Sequence, residues 1–312
     1  MINIFKKSHK KLVTHNSSFH TDDIFAAATL SILLENKGEK FEIIRTRDPK
    51  IISSGDYVFD VGGVCDSDTN RFDHHQKGGA GRREGEPLIE YASFGLVWKK
   101  FGVEVCGSKK AAEVIDGKLV APIDAGDNGF DLAANKYDIS PYVIQNLFSS
   151  MSPTWQEGGS KRDKIFLDCV EIAKVVLLRE VAQARDGVLA EEKVLSIYNN
   201  TKDKRIIVLD KNYPFEYALH DFLEPLFVVY PRENSEEDGK IEERWSAKAV
   251  RQDLGVFKNR KDFPSSWAGL RDAEIQNITG VADAIFCHRG LFMAVAKSKE
   301  GAIRLAELAL IG

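Results

Sequence analysis

Apolar residues follow two rhythms along this chain. Through the first half, short apolar runs alternate with longer segments whose apolar positions recur at helical spacing. Residues 11–15 read as a strand, 24–36 as a helix, and 41–47 and 57–61 as two further strands, separated by Asp48-Pro49 and the Ser53-Ser54-Gly55 turn. That alternation predicts βαβ units on a parallel sheet. After a Gly-rich stretch at 78–85, helices are predicted over 88–101 and 108–120, and 121–129 reads as a loop. A polar break at 149–160 precedes a helical pattern over 162–185 that resumes after Asp186-Gly187 and runs to Tyr198.

From Arg205 onward strands come in close succession, at 205–209, 226–230 and 243–251, the last two joined by a polar, acidic hairpin loop at 232–239. The chain closes as helix, strand, strand, helix, with strands at 284–287 and 292–296. The pattern predicts an α/β parallel-sheet domain at 1–155, a helical connector at 156–200 and a smaller α+β domain at 201–312. With 312 residues, 43% of them hydrophobic, the chain is long enough to fill two cores.

Charge narrows the kind of partner. The formal net charge of −4 is not that of a strongly basic nucleic-acid binder, so a polyanionic substrate must be held locally, by metal ions and a few cations. Cys65, Cys106, Cys169 and Cys287 stand far apart with no CxxC pair, which argues against a zinc ribbon or a disulfide framework and fits a reducing compartment. No apolar stretch approaches the roughly 20 residues of a membrane helix. The basic first residues lack the apolar run of a signal peptide. The expectation is a cytoplasmic protein with no membrane contact; the oligomeric state stays open.

The candidate chemistry collects at predicted strand ends, the edge where open α/β sheets place their sites. His15, His20, Asp22 and Asp23 fall in the loop after the first strand, a mixed nitrogen and oxygen donor set suited to a divalent first-row metal. Asp60 ends an apolar strand and precedes Gly62-Gly63, which let the backbone approach closely. In Asp73-His74-His75, one imidazole can ligate a metal while its neighbour reaches a phosphate oxygen, and the carboxylate can orient a ring. Asp124 and Asp127 offer a further carboxylate from the 121–129 loop. One would ligate and the other fix the loop, with Asp124 favoured because it lies closest to the preceding apolar helix. These converging groups suit two-metal hydrolysis of phosphodiesters.

The motifs together resemble those of the melanocyte-proliferating-gene (Myg) exonuclease family, a distant branch of the DHH phosphoesterases. They are His15-Asn16 with Phe19-His20-x-Asp22, Val58-Phe59-Asp60-Val61-Gly62-Gly63, Phe72-Asp73-His74-His75-Gln76 and Asp124-x-x-Asp127-Asn128-Gly129. The likeness continues through Trp245 and Phe263-Pro264-x-x-Trp267-x-Gly269-Leu270-Arg271-Asp272 to His288 and Lys297-x-x-Glu300-Gly301-Ala302. The resemblance implies a DHH-type parallel-sheet domain carrying two divalent metal ions, and a smaller domain closing over the cleft. It implies a 3′-to-5′ exoribonuclease acting on single-stranded RNA or short oligonucleotides and releasing nucleoside 5′-monophosphates. By the same resemblance His15 and His20 would hold one ion, Asp60 would bridge, and Asp22, His74 and Asp124 would hold the other. His75 would contact phosphate, supported by Asp73. DHH enzymes in general have Asp where His20 stands, and the extra nitrogen tilts the preference from Mg2+ toward Mn2+, with Co2+ or Zn2+ also fitting.

In the second domain, Lys248 and Arg251 on a strand and His288-Arg289 in a turn are candidates for gripping substrate phosphates, Arg by bidentate contact. Trp245 and Trp267 fit either a core or a stacking role. The same metal site would also serve a pyrophosphatase or a phosphodiesterase of short or cyclic oligonucleotides. A metal-stabilised binding protein is the reading from another class, although structural zinc sites are usually closed Cys/His tetrahedra.

Overall fold

The computed structural model describes residues 9–85, 88–134, 138–232, 235–237, 240–242 and 244–312. The chain divides into two compact units, Met1–Arg185 and Asp186–Gly312. Among the described residues no helix is long and apolar enough to cross a membrane.

The first unit is built on a five-stranded sheet of β1 (Lys10–Thr14), β2 (Phe41–Arg45), β3 (Tyr57–Phe59), β4 (Cys65–Asp66) and β5 (Arg71–Phe72), in the order β2-β1-β3-β5-β4. All neighbours are parallel except the edge pair β4 and β5. The predicted parallel sheet is therefore present. Because β1, β3 and β5 are adjacent and run the same way, the residues that follow them, His15, Asp60 and Asp73 to His75, emerge along one sheet edge.

Helix α1 (Thr21–Asn36) is buried continuously from Thr21 to Leu34, as befits a helix enclosed on all sides rather than an amphipathic surface helix. Its buried hydroxyls are satisfied internally, Thr29 Oγ1 donating to Phe25 O and Ser31 Oγ to Ala27 O. Phe25 packs on Phe94 of α3 (Ser93–Cys106) at 5.2 Å and edge-on to Phe148 at 5.7 Å. Phe148 anchors a short helix at Ile144–Met151.

Two stretches differ from the sequence pattern. Residues 88–92, expected to be helical, are not: Glu90 bridges to Arg82, and α3 begins only at Ser93. Its N-cap is Ala92, which has no side-chain acceptor. The first free N–H groups are met instead by carboxylates from elsewhere, Ser93 and Phe94 donating to Asp22 and Gly95 to Asp124. Residues 121–127, read as a loop, are helical. After α2 (Pro49–Ser53) and α3, α4 (Lys109–Ile115) passes through a π-turn at Asp116–Val120 straight into α5 (Ala121–Asp127). The wider turn, in which Ala121 N–H reaches back to Asp116 O, carries the helix across Pro122. The chain leaves α5 at Asn128 and Gly129, whose φ of 69° is left-handed. The short helix at Ile144–Met151 is then α6.

The long helix α7 (Arg162–Asn200) runs uninterrupted through Gly187, and the division between the units falls within it. In the second unit a mixed sheet has the order β11-β12-β10-β7-β6, formed by β6 (Ile206–Val208), β7 (Phe227–Pro231), β10 (Trp245–Ala249), β11 (Ala284–Cys287) and β12 (Met293–Ala296). Only β6 and β7 pair in parallel. Across the predicted hairpin loop at 232–239 and just past it, β8 (Ser235–Glu237) pairs with β9 (Lys240–Glu242), while residues 233–234, 238–239 and 243 lie outside the described residues. α8 (Asp272–Thr279) and α9 (Lys299–Ile311) complete the unit. Trp267 is in its core and Trp245 packs against it, so both serve packing.

A Cβ added at Gly95 would lie 1.9 Å from Asp124 Oδ2, whereas one added at Gly187 meets nothing within 4 Å. Gly95→Ala should therefore lower stability by about 1–3 kcal/mol through overpacking. Gly187→Ala should raise it by about 1 kcal/mol through helix propensity. Denaturant unfolding of the two variants checks the opposite signs.

Candidate metal centre

Asp60 follows β3 in a left-handed backbone conformation, φ 54°, which is uncommon for a non-glycine residue although Asp adopts it more readily than most. The geometry turns its buried carboxylate to lie between two imidazoles. Oδ2 is 3.1 Å from His15 Nε2, and Oδ1 is 3.3 Å from His74 Nε2. Two left-handed glycines follow, Gly62 and Gly63. The second is held by Asp73 Oδ2, which accepts its N–H.

Each imidazole is oriented from behind. His15 Nδ1 meets Asn16 O at 2.8 Å, which fixes Nδ1 as the donor and leaves Nε2 facing the carboxylates of Asp60 and, at 3.3 Å, Asp23. The loop carrying His15 and His20 is pinned through Ser17, itself left-handed, whose carbonyl accepts from Arg45 at the end of β2. The Arg45 guanidinium lies over Phe19 and Phe166 and pairs with Asp163. His74 Nε2 is also 3.2 Å from Asp127 Oδ2. His75 is exposed, with Nδ1 2.8 Å from Asp73 Oδ1.

The atoms gather into three groups able to hold a cation, each with its ligand atoms within 4.8 Å of one another: His15, His20 and Asp60; Asp60, His74 and His75; and Asp22, His74 and Asp127. The residues fit a metal on grounds of their own. Asp23 Oδ2, Asp60 Oδ1 and His74 Nε2 are buried without a hydrogen-bond partner. Such atoms are costly unless a cation or water satisfies them. Protonation behaviour points the same way. Burial works against a charged His15 and His74, yet the carboxylates of Asp23, Asp60 and Asp127 outweigh it and raise the two to about 10 and about 11. Asp22 is pushed upward by burial and by the neighbouring carboxylates of Asp127, Asp60 and Asp124. Asp60, despite its burial, is held well below the usual carboxylate range by the two imidazoles.

The candidates taken from the sequence separate here. His15, His20, Asp22, Asp60, His74, His75 and Asp127 come together, with Asp73 behind His75. Asp124, favoured over Asp127 from its place in the chain, does not join these groups. Fully buried, it pairs with Arg83 Nη2 at 2.6 Å and accepts the Gly95 N–H, so its carboxylate is committed to α3. Burial nevertheless raises Asp124 to about 7 against the pull of Arg83. In the second unit Lys248 pairs with Glu216 at 2.6 Å, Arg251 lies over Phe257, and His288 accepts the Gly290 N–H beside exposed Arg289. Sequence reasoning missed Arg45 and Arg83, and named Asp23 only as part of the donor set after the first strand. Asp23 reads as an ordinary acidic residue of a first helical turn, and indeed its Oδ1 accepts the His20 N–H. The two arginines carry no local signal at all.

Comparison with known proteins places these features in context. The model of an uncharacterised protein family, UPF0160, the MYG1 exonuclease model, matches residues 11–310. The MYG1 protein of Schizosaccharomyces pombe is 28% identical over 96% of this chain and 97% of its own length. The MYG1 exonuclease of Homo sapiens is 26% identical over 98% of this chain and 88% of its own. A crystal structure of exonuclease RecJ bound to manganese covers 96% of this chain and 90% of that chain, at 12% identity and a TM-score of 0.26, too loose a likeness to assign roles.

A cation that takes the place of the protons at His15 and His74 makes binding and protonation compete. In metal-free protein the two raised imidazoles contribute stability in full below their ordinary value of 6.5 and lose it as pH rises through about 10 and about 11. The melting temperature of chelator-treated protein should therefore fall on the alkaline side. The extra stabilisation by a fixed concentration of Mn2+ should grow with pH between about 6.5 and 8.5. Thermal melts with and without Mn2+ across that range check both slopes.

Proposed function

We infer, since the chain belongs to the MYG1 exonuclease family, that its first unit is the catalytic centre of a two-metal-ion exonuclease. The observation that carries this reading is the buried carboxylate of Asp60, one oxygen toward His15 and the other toward His74. A carboxylate so divided suits a bridge between two cations. In this reading His15 and His20 hold one ion beside Asp60, while Asp22, His74 and Asp127 hold the other. Asp127 takes the role expected of Asp124, which instead positions α3. The nitrogen-rich donor set favours Mn2+, with Mg2+, Co2+ and Zn2+ as alternatives. Bound divalent cations would supply activation of a water and neutralisation of the phosphate's charge.

The chain's own residues do the rest. Asp73 accepts from His75 and from Gly63, holding both the ring and the turn after Asp60 in place. The exposed His75 ring, oriented through Nδ1, is placed to contact a phosphate oxygen. Asn16 O and Asp23 keep His15 Nε2 directed inward. The proposed substrate is single-stranded RNA, shortened from its 3′ end to nucleoside 5′-monophosphates in the cytoplasm. In the second unit His288 and Arg289 are the better placed to grip phosphate, since Lys248 is already neutralised by Glu216.

Asp60→Asn keeps the side-chain shape and a residue tolerant of left-handed φ but removes the bridging charge. Its turnover of RNA with Mn2+ should fall by about 10³-fold or more, as expected when charge stabilisation at a reacting centre is lost, while denaturant unfolding stays cooperative. End-labelled RNA, DNA and pyrophosphate offered to the unaltered protein separate the substrates. Stepwise shortening of RNA from the 3′ end is the expected result, and turnover of pyrophosphate alone would refute the reading.

A further inference from the structure

We propose that a cavity of about 490 Å³ beside the metal cluster seats the ribose of the substrate's terminal nucleotide, with Gln145 as a specificity-determining residue. This rests on the nuclease reading and adds to it the part of the substrate that the first unit recognises. His20, Asp22 and Asp127 form the wall shared with the metal cluster. A phosphate held at the cluster would thus leave its attached sugar at the cavity mouth. The rest of the polar wall is neutral: Ser18, Thr21, Gln145, Ser149 and Ser152.

The chemistry of this wall chooses among the parts of a nucleotide. No Lys or Arg lines the cavity among the described residues, so a second phosphate finds no counter-charge there. A base wants an open aromatic face, but Phe19 is 5% exposed and already packed against Phe166 and Arg45, and the exposed ring of His20 belongs to the metal cluster. Hydroxyl and carboxamide groups match the hydroxyls of a ribose, and the 2′-hydroxyl is the group that distinguishes RNA from DNA. The volume falls within the usual range of small-ligand sites.

The wall is also built to hold its shape. Phe148, buried against Phe25, docks α6 on α1, and Gln145 and Ser149, four residues apart, share one face of that helix. Gln145 Nε2 donates to Pro122 O at 3.2 Å, which leaves the carboxamide oxygen to accept from a ligand. Gly126 makes the room for this: a Cβ there would come within 2.8 Å of Gln145 Nε2.

Calorimetry of the Mn2+-loaded full chain with a ribonucleoside 5′-monophosphate and its 2′-deoxy counterpart tests the site without turnover. The unaltered protein should prefer the ribose form. Gln145→Ala should weaken it by about 3- to 10-fold, the worth of one hydrogen bond, with the deoxy form unchanged within about 2-fold. Ser149→Trp, on an exposed helix position where folding is not at risk, should block both forms. With oligonucleotides, Gln145→Ala should raise KM for RNA and leave kcat and the DNA reaction alone. The cavity's role is overturned if both variants bind the two mononucleotides as the unaltered protein does, or if the protein shortens RNA while neither variant alters KM. Failure of the unaltered protein to cut any oligonucleotide would instead strike the nuclease reading, and mononucleotide binding would still decide the cavity.

Discussion

The first unit is organised around a carboxylate that has almost no water to charge against. Asp60 is 3% exposed, and its oxygens face two imidazole nitrogens at 3.1 and 3.3 Å. A buried charge persists only when paired, so His15 and His74 must both be present and correctly aimed. The sheet order β1-β3-β5 achieves this by putting Asp60 just past the central of three parallel strands, with His15 after one neighbour and His74 after the other. The left-handed backbone at Asp60 and at the two glycines beyond it turns the chain sharply enough for Asp73 to tie the turn down.

The remaining buried carboxylates show where positive charge is still missing. Asp124 has Arg83 as its counter-ion, and Asp60 has its two imidazoles. Asp22 has only backbone N–H groups at the start of α3, both of its oxygens being engaged there. The helix dipole offsets part of its charge. Burial and the neighbouring carboxylates push the other way, which is why Asp22 resists ionisation. The unbalanced negative charge therefore sits on the side of Asp22 and Asp127, next to the histidine they share with Asp60. A divalent cation would resolve that imbalance with fewer protons than the cluster would otherwise have to retain.

Much of this was legible in the sequence because it depends on strand ends. His15, Asp60 and Asp73-His74-His75 each follow an apolar run, and a parallel sheet delivers such positions to one edge whatever the details of packing. What was not legible depends on contacts distant along the chain. Arg45 acts on the Ser17 carbonyl 28 residues away, and Arg83 on Asp124 41 residues away. Neither pairing leaves a periodic trace. The start of α3 escaped for a related reason: its cap is supplied by Asp22 and Asp124 rather than by its own Ala92, so the local signal for a helix start is absent. In the second unit the apolar pattern located the principal strands, but the cations read as phosphate ligands include half-buried Lys248, which pairs with Glu216 at a distance along the chain that no local pattern records.

The choice between Asp124 and Asp127 shows how one secondary-structure assignment decides a chemical one. In a loop, either carboxylate could turn toward the histidine cluster. The π-turn carries the helix across Pro122 and makes 121–127 helical, so the two residues stand three apart on one rigid element, displaced along its axis by about 4.5 Å. Their directions are then no longer independent. Asp124 reaches the N-terminus of α3 and Arg83, and Asp127, nearly one turn on, reaches His74. Gly95 leaves the space that brings Asp124 this close. A carboxylate anchored by an arginine and a helix N-terminus is a poor candidate to move and a good one to set the position of its neighbour. The pair thus divides the work that sequence alone offered to either: Asp124 fixes α5 against α3, and that fixed helix presents Asp127 to the cluster.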